Sequence, residues 1–187
     1  MKILHLISGL NTGGIERWLL GMMPYMDKKL YLNDFFLRLP EEDDLISQFE
    51  QHGSKVFVNK GKGFNLFSYS EQLEKHILEN KYDVIHNHLA HHGGIPAKCY
   101  QKLGIPSIVS FHNARLGPLQ FGNFFKRKLS TLYVKYSLSN MVKRGNIITG
   151  CSQDVLQGIG DIVPFGNKET RVLHYGVDVR PQLSKEE

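Results

Sequence analysis

The chain has 187 residues, of which 41% are hydrophobic and 22% charged, a composition typical of one globular domain. No stretch approaches the ~20 apolar residues that a membrane-spanning helix needs. The two cysteines argue against a disulfide framework and favour a reducing compartment. A net charge of +5 favours acidic partners such as nucleotides, phosphorylated sugars, anionic lipids or nucleic acids, without choosing among them.

Short apolar runs alternate with helical patterns along the chain. The first strand is predicted at Lys2 to Ile7, and a helix follows a small-residue loop and continues to about Met26. The remaining predicted elements are strand Phe35 to Leu37, helix Asp44 to His52, strand Lys55 to Val58, helix Phe67 to Asn80, strand Asp83 to His86, helix Gly94 to Leu103, strand Pro106 to Phe111, helix Phe121 to Arg144, strand Asn146 to Thr149, helix Gln153 to Ile159 and strand Thr170 to Leu173. The alternation predicts an α/β fold with a Rossmann-like, doubly wound and mostly parallel sheet.

The polar loops of the chain follow the predicted strands. They are Ser8 to Gly14, Asn87 to Gly94, His112 to Arg115 and Cys151-Ser152. In doubly wound sheets, ligands bind beyond the carboxyl ends of the strands. The sequence therefore predicts a binding cleft along this edge of the sheet.

The first of these loops joins a strand to a helix through Gly13 and Gly14. Free N–H groups and the positive end of a helix dipole suit a phosphate or a carboxylate. The loop is not a dinucleotide fingerprint, because Asn11 stands where that motif needs glycine, and no Gly-Lys-Ser/Thr follows to make a P-loop. A tight turn without a ligand is the alternative interpretation.

A histidine-rich stretch runs from His86 to Gly94 and reads His-Asn-His-Leu-Ala-His-His-Gly-Gly. It resembles the His-x-His-x-Asp-His-x-Gly-Gly motif of metallo-β-lactamase-fold hydrolases, except that Ala90 stands at the acidic position. Two or three of the histidines His86, His88 and His91 could still hold one zinc ion with an open site. The alternatives are a buried strand end at His86 followed by a polar loop, and contact of one histidine with a substrate.

Two further features qualify as candidate sites. His112, with Asn113 and Arg115, ends the fifth predicted strand, where an imidazole can form a hydrogen bond with a sugar hydroxyl.

The stretch Phe124-Phe125-Lys126-Arg127-Lys128 mixes aromatic and basic residues, which suits an anionic membrane surface. A charge run of this kind is also compatible with a solvated helix face. Nucleic-acid recognition motifs are absent from the sequence, and no nucleic-acid partner is expected.

Taken in order, several segments resemble glycosyltransferase family 4. They are Lys2-Ile3-Leu4-His5, Thr12 to Arg17, Tyr82 to His88, Gly104 to His112, Gly150-Cys151-Ser152, and Val172 to Asp178, where the family usually has asparagine at the position of Tyr175. The resemblance covers nearly the whole chain. It implies the N-terminal, acceptor-side domain of a GT-B enzyme at residues 1–178, with residues 179–187 beginning a linker to an absent C-terminal donor-binding domain.

The resemblance also implies a reaction. A hexosyltransferase-type enzyme would move a sugar from a nucleotide-sugar to a glycan or lipid-linked acceptor with retention and without an obligatory metal or cofactor, in the synthesis of envelope polysaccharide or glycolipid. Gly13 and Gly14 would approach the donor phosphate, and His112 would act as the catalytic residue at the transferred sugar. Candidate substrate contacts are Asn11, Glu16, Arg17, His88, Asn113 and Arg115.

The location expected for such an enzyme is the cytoplasm, including the inner face of the membrane, and the isolated chain is expected to be inactive. Two alternatives remain open at the level of sequence. One is the zinc hydrolase indicated by the histidine motif. The other is a non-catalytic module that binds a sugar or scaffolds a partner, which the missing second half would favour.

Overall fold

A computed structural model describes residues 1–11, 13–39, 44–60, 65–114 and 124–176. The strands are β1 (Lys2–Ile7), β2 (Leu32–Leu37), β3 (Val56–Val58), β4 (Val84–Asn87), β5 (Ser107–Phe111), β6 (Ile147–Gly150) and β7 (Glu169–Val172). The helices are α1 (Gly14–Met22), α2 (Asp44–Gln51), α3 (Leu66–Asn80), α4 (Gly94–Lys102), α5 (Phe124–Arg144) and α6 (Gln153–Ile162). Short 3₁₀ helices lie at Met23–Tyr25 and Ala90–His92.

The seven strands form one sheet in the order β3-β2-β1-β4-β5-β6-β7, and every neighbouring pair is parallel. The order reverses beside β1, which lies between β2 and β4. This arrangement confirms the predicted Rossmann-like α/β fold. It also places the carboxyl ends of β1, β4 and β5 next to one another, where such sheets bind ligands.

Helices cover both faces of the sheet. Leu4 and Leu6 of β1 pack with residues of α3 and α4, whereas Ile7 packs with α1 and α2. The apolar side chains of β5 and β6 pack against α5 and α6. Because successive side chains of a strand point to opposite faces, His5 lies on the same face as Ile7.

The predicted elements are confirmed, and some of their boundaries differ. The first helix ends at Met22 rather than at about Met26, and Pro24 lies in the 3₁₀ turn that follows. Proline has no N–H to continue an α-helix and fixes its own φ angle. Helix α3 starts one residue earlier than predicted, because the Asn65 side chain accepts from the N–H groups of Phe67 and Ser68 and caps it.

The basic helix α5 begins at Phe124, and the three preceding residues of the predicted helix lie outside the described part of the chain. Its length does not make it a membrane span. None of the described helices is both long and apolar enough to cross a lipid bilayer.

The zinc-hydrolase alternative is wrong at the level of the fold. The metallo-β-lactamase fold needs many antiparallel strands, whereas all strand pairs in the described residues are parallel. Of the three predicted ligands, the structure brings together His86 and His88, whereas His91 lies in the 3₁₀ helix that follows β4 and does not join their group. The His-x-His spacing is thus a local likeness that the topology does not support.

Candidate active site at the carboxyl edge of the sheet

An open pocket of about 640 Å³ lies beside the first turns of α1. It is lined by Gly14, Arg17, Trp18, Gly21, Met22, Tyr25, Met26, Tyr175 and Gly176. Trp18 stacks on Tyr175 with ring centroids 4.6 Å apart, so the two rings form an aromatic wall. Arg17 is exposed at the same pocket. An aromatic wall next to a guanidinium and a glycine-lined helix start can hold a polar ligand that carries a negative charge.

The glycine loop is shaped for close approach of a ligand. Gly13 is the N-cap of α1, and its N–H donates to the Asn11 carbonyl at 2.7 Å. A Cβ at Gly14 would meet nothing within 4 Å, so this glycine faces open space at the pocket. A Cβ at Gly13 would instead collide with the Glu16 carboxylate. Glu16 is the third residue of the helix, where a carboxylate reaches back toward the N-cap. An anionic ligand at the glycine loop must therefore compete with the negative charge of Glu16.

A row of buried and half-buried polar side chains leads from β2 to this pocket. His5 Nε2 lies 3.0 Å from Asn33 Oδ1, and His5 Nδ1 lies 3.1 Å from His88 Nε2. His88 Nδ1 lies 3.0 Å from His112 Nε2, and His112 Nδ1 lies 2.5 Å from the Tyr175 hydroxyl. We call these five side chains the histidine row.

Beside this row, His86 continues the polar layer across the next strands. Its Nε2 lies 2.6 Å from Ser110 Oγ, which in turn lies 2.5 Å from Thr149 Oγ1. The rings of His86 and His88 are 3.9 Å apart between centroids. Five neighbouring strands, β2, β1, β4, β5 and β6, therefore contribute polar side chains to the same buried layer.

Burial keeps these imidazoles neutral. Desolvation lowers the pKa of His5 to about 4, against a smaller opposing effect of its hydrogen bond to Asn33 and the charge of Asp34. Burial also lowers the pKa of His112 to about 4. The pKa values of His86 and His88 are lowered well below the usual range, first by burial and then by the neighbouring imidazoles.

Two of the histidines singled out in the sequence, His88 and His112, belong to the histidine row. His88 is 4% exposed and lies inside the row, so it does not line a polar surface loop. His112 is partly buried next to the pocket wall, with its ring 6.4 Å from that of Trp18. Both of its ring nitrogens are within hydrogen-bonding distance of a side chain. Contact of His112 with a sugar through a ring nitrogen would therefore replace the bond to Tyr175.

Other candidates lie around the same edge. Asn11 and Asn113 are exposed there, and Cys151 packs against the apolar cluster of β5, β6, α5 and α6. Arg115 and the proposed linker at residues 179–187 lie outside the described residues. The membrane-contact candidates Phe124 to Lys128 are all exposed at the start of α5.

Sequence reasoning missed His5, Asn33 and Tyr175 as members of the site. It also missed the possible metal geometry: within the described ranges, His5, His86 and His88 form a buried group whose ligand nitrogens lie within 4.8 Å of one another. His5 thus stands where the zinc hypothesis had placed His91. Tyr175 was visible only as a departure from an asparagine in the family pattern.

Comparison with known proteins agrees with this architecture. The sequence model of glycosyltransferase family 4 matches residues 12–180. Among solved structures, HepE of Anabaena superposes with a TM-score of 0.68 at 21% identity, covering 95% of this chain and 45% of HepE. HepE has been solved with UDP and with UDP-glucose. No curated protein matches the chain significantly.

Two further structures share the fold at lower identity. The lipopolysaccharide outer core galactosyltransferase WaaB has a TM-score of 0.64 at 12% identity, with 100% of this chain and 50% of WaaB covered. A glycosyltransferase of Rickettsia africae has a TM-score of 0.64 at 17% identity, with coverages of 95% and 43%. The chain thus spans about half the length of these enzymes. Since the family match extends over most of its residues, the chain belongs to glycosyltransferase family 4.

Proposed function

We propose that this chain is the acceptor-side, N-terminal domain of a retaining GT-B glycosyltransferase that uses a nucleotide-sugar. The observation that carries the proposal is the pocket beside α1, where Gly14, Arg17 and the Trp18–Tyr175 wall meet at the carboxyl edge of the sheet. A nucleoside diphosphate leaving group gains negative charge during transfer, and N–H donors at a helix start stabilise that charge. UDP and UDP-glucose complexes of HepE support a donor of this chemical class.

The second domain of the parent enzyme would close over this pocket. In the proposed enzyme it carries most of the nucleotide, and closure excludes water that would hydrolyse the donor. The acceptor is a glycan or a lipid-linked sugar of an envelope polysaccharide or glycolipid. The chemistry uses no resident metal or cofactor. On this proposal the 187-residue chain alone does not catalyse transfer.

Replacing Gly14 with aspartate tests the phosphate role of the loop. The position has open space for a side chain, so the substitution introduces charge without a steric collision. In the longest protein encoded by the reading frame that contains this chain, we expect Gly14→Asp to lower kcat/KM for the nucleotide-sugar by about 100-fold or more, the scale of losing one transition-state donor. The measurement is transfer of radiolabelled sugar to acceptor-containing membranes.

The matched control is Gly14→Ala, which fills the same space without charge and is expected to stay within a few-fold of wild type. Equal activities of the aspartate and alanine variants would contradict the phosphate role of the loop. Transfer by the 187-residue chain without any second domain would contradict the proposed division of labour.

We further propose that α5 rests on an anionic membrane surface. Phe125, Leu129, Leu132 and Tyr136 follow helical spacing and are 78%, 69%, 56% and 47% exposed, forming one apolar stripe. The 21 residues of α5 include six lysines and arginines and no acidic residue. An exposed apolar stripe flanked by cations on a helix without acids fits a headgroup region better than it fits water. A lipid-linked acceptor would be reached from this surface.

Vesicle sedimentation checks this contact. We expect the chain to bind phosphatidylcholine vesicles only when phosphatidylglycerol is added. The double variant Lys126→Glu, Lys128→Glu should reduce binding by about tenfold or more, since each basic residue near such a surface contributes about 1 kcal/mol. The control is Phe67→Ser, which removes a ring that is 70% exposed on another helix. Equal binding to neutral and anionic vesicles would refute the electrostatic contact, and equal losses in the two variants would refute its location on α5.

A further inference from the structure

The hydrogen bonds of the histidine row have one consistent direction, which begins at Asn33. The Asn33 Nδ2 group donates to Met26 Sδ at 3.4 Å, and this contact turns Oδ1 toward His5. An amide oxygen only accepts hydrogen bonds. His5 therefore carries its proton on Nε2 and donates it to Asn33, which leaves His5 Nδ1 bare.

The same argument assigns the protons of the other two histidines in the row. Neutral imidazole has one donor and one acceptor nitrogen, so the bare Nδ1 of His5 accepts from His88 Nε2–H. The bare Nδ1 of His88 then accepts from His112 Nε2–H, and the bare Nδ1 of His112 accepts from the Tyr175 hydroxyl. All three histidines are Nε2–H tautomers, and Tyr175 must donate inward.

We propose that Asn33 and His5 are positioning residues, which fix the tautomers of His88 and His112 and thereby make the Tyr175 oxygen a hydrogen-bond acceptor toward the pocket. A group of the ligand that meets this oxygen must then be a donor. On the proposed function, which this inference deepens, such a donor is a hydroxyl of the sugar. The pocket would disfavour a carbonyl or a phosphate oxygen at this point, since two acceptors would face each other there.

The burial of the inner part of the row supports a single direction of its hydrogen bonds, from Tyr175 to Asn33. Asn33, His5 and His88 are 7%, 4% and 4% exposed, so water does not compete for their nitrogens. Reversing the row would turn the Asn33 amide and set its oxygen against the Met26 sulfur, where no donor is available. The row therefore couples a side chain on β2 to the pocket wall, although the two ends lie 142 residues apart in sequence, as positions 33 and 175.

A bound metal ion is the competing explanation of the same residues. The ligand nitrogens of His5, His86 and His88 lie within 4.8 Å of one another. A metal ion on His5 Nδ1 and His88 Nε2 would take the place of the proton that these atoms share. Metal and proton therefore exclude each other at this position, so the protonation state of His5 and His88 distinguishes the two explanations.

Long-range ¹H–¹⁵N correlation spectra of the uniformly labelled chain at pH 7 report the tautomer of each assigned histidine. We expect His5, His88 and His112 all to be protonated on Nε2. Protonation of any of the three on Nδ1, or a mixture of tautomers, would overturn the proposal. Stoichiometric zinc in protein purified without chelator, with zinc-shifted His5 and His88 signals, would overturn it as well.

Variants at Asn33 test its positioning role. Asn33→Leu removes the acceptor at the inner end, and we expect His112 to become a mixture of tautomers. Asn33→Asp keeps an acceptor, and we expect it to retain the Nε2–H form of His112. Should Asn33→Leu leave the His112 tautomer unchanged, or should Asn33→Asp lose it, Asn33 does not set the direction of the row.

In the longest protein encoded by the reading frame that contains this chain, kcat/KM for the nucleotide-sugar should fall in the leucine variant and recover in the aspartate variant. The tautomer spectra do not depend on sugar transfer, so the two proposals can fail separately. If the wild-type tautomers are as expected but Gly14→Asp leaves transfer unchanged, the proposed function is contradicted and the inference about the row stands. If Gly14→Asp lowers transfer but the tautomers differ from those expected, the inference about the row is contradicted and the proposed function stands.

Discussion

The free energy of unfolding of this chain is expected to fall steeply between pH 7 and pH 5. His5, His86, His88 and His112 are all buried or half-buried, and burial lowers the pKa of each in the folded state. In the unfolded chain a histidine titrates at its ordinary value of 6.5. Below that pH the unfolded chain binds protons that the folded chain does not, so acid favours unfolding.

The size of this effect follows from the pKa of His5. Its pKa changes from 6.5 in the unfolded chain to about 4 in the folded chain. The contribution of neutral, buried His5 to the free energy of unfolding is therefore fully present above pH 6.5 and is lost as the pH falls toward 4. One such histidine costs about 2 kcal/mol of stability at pH 5. Burial also lowers the pKa of His112 to about 4, and the lowered pKa values of His86 and His88 act in the same direction, so the loss is large beside the ~5–15 kcal/mol that holds a typical domain folded.

Urea denaturation at pH 7, 6.5, 6, 5.5 and 5 measures this dependence. A matched control is His174→Gln, which removes an exposed histidine and is expected to leave the slope unchanged. His5→Gln removes one buried histidine and should flatten the slope while lowering the stability at pH 7. A free energy of unfolding that is constant from pH 7 to pH 5 would show that these imidazoles are not held neutral by burial.

The fold was predictable because its signals are local. Strands β1 to β6 each contain a short run of apolar residues, whereas β7 has only Val172. Turn or cap residues such as Asn65 and Gly104 separate strands from helices. Alternation of such runs with helices leaves few topologies, since crossovers in parallel sheets are right-handed. The carboxyl edge then follows from the topology, and with it the location of Gly14 and His112.

The histidine row was not predictable because it is made by contacts distant in sequence. His5 alternates with Leu4 and Leu6, a pattern that for an edge strand would place it in solvent. Only the pairing of β1 with both β2 and β4, and the packing of α1 on that face, bury it. Asn33 is a similar case on β2. Nothing near Tyr175 in sequence indicates His112 as its partner, 63 residues away.

The zinc hypothesis based on the histidine motif fails for the same physical reason. Spacing along the chain determines which residues share a turn, but ligation requires that the strands bring their side chains together. His86 and His88 lie two residues apart on one face, and the third imidazole within reach comes from β1, not from the following turn. The fold thus replaced the expected neighbour His91 with His5.

Replacing Asn87 with alanine is expected to destabilise the chain by about 3 kcal/mol or more, because it leaves several buried polar groups without partners. Asn87 is fully buried at the end of β4. Its Oδ1 accepts from the Leu89 N–H at 3.0 Å, and its Nδ2 donates to the Gly93 carbonyl and to the Tyr100 hydroxyl at 3.3 and 3.1 Å. Urea denaturation at pH 7 measures the loss.

The substitution should also disturb the site, because these bonds hold the turn that carries His88. One side chain fixes both the start of the turn, at Leu89, and its end, at Gly93, where α4 begins. The control is Asn113→Ala, which removes an exposed amide from the same edge of the sheet and should change the stability by less than about 0.5 kcal/mol. If both variants were equally stable, the turn would be held by its backbone and by α4. If the Asn87 variant were less stable but kept the His88 and His112 tautomers, the histidine row would be independent of the turn.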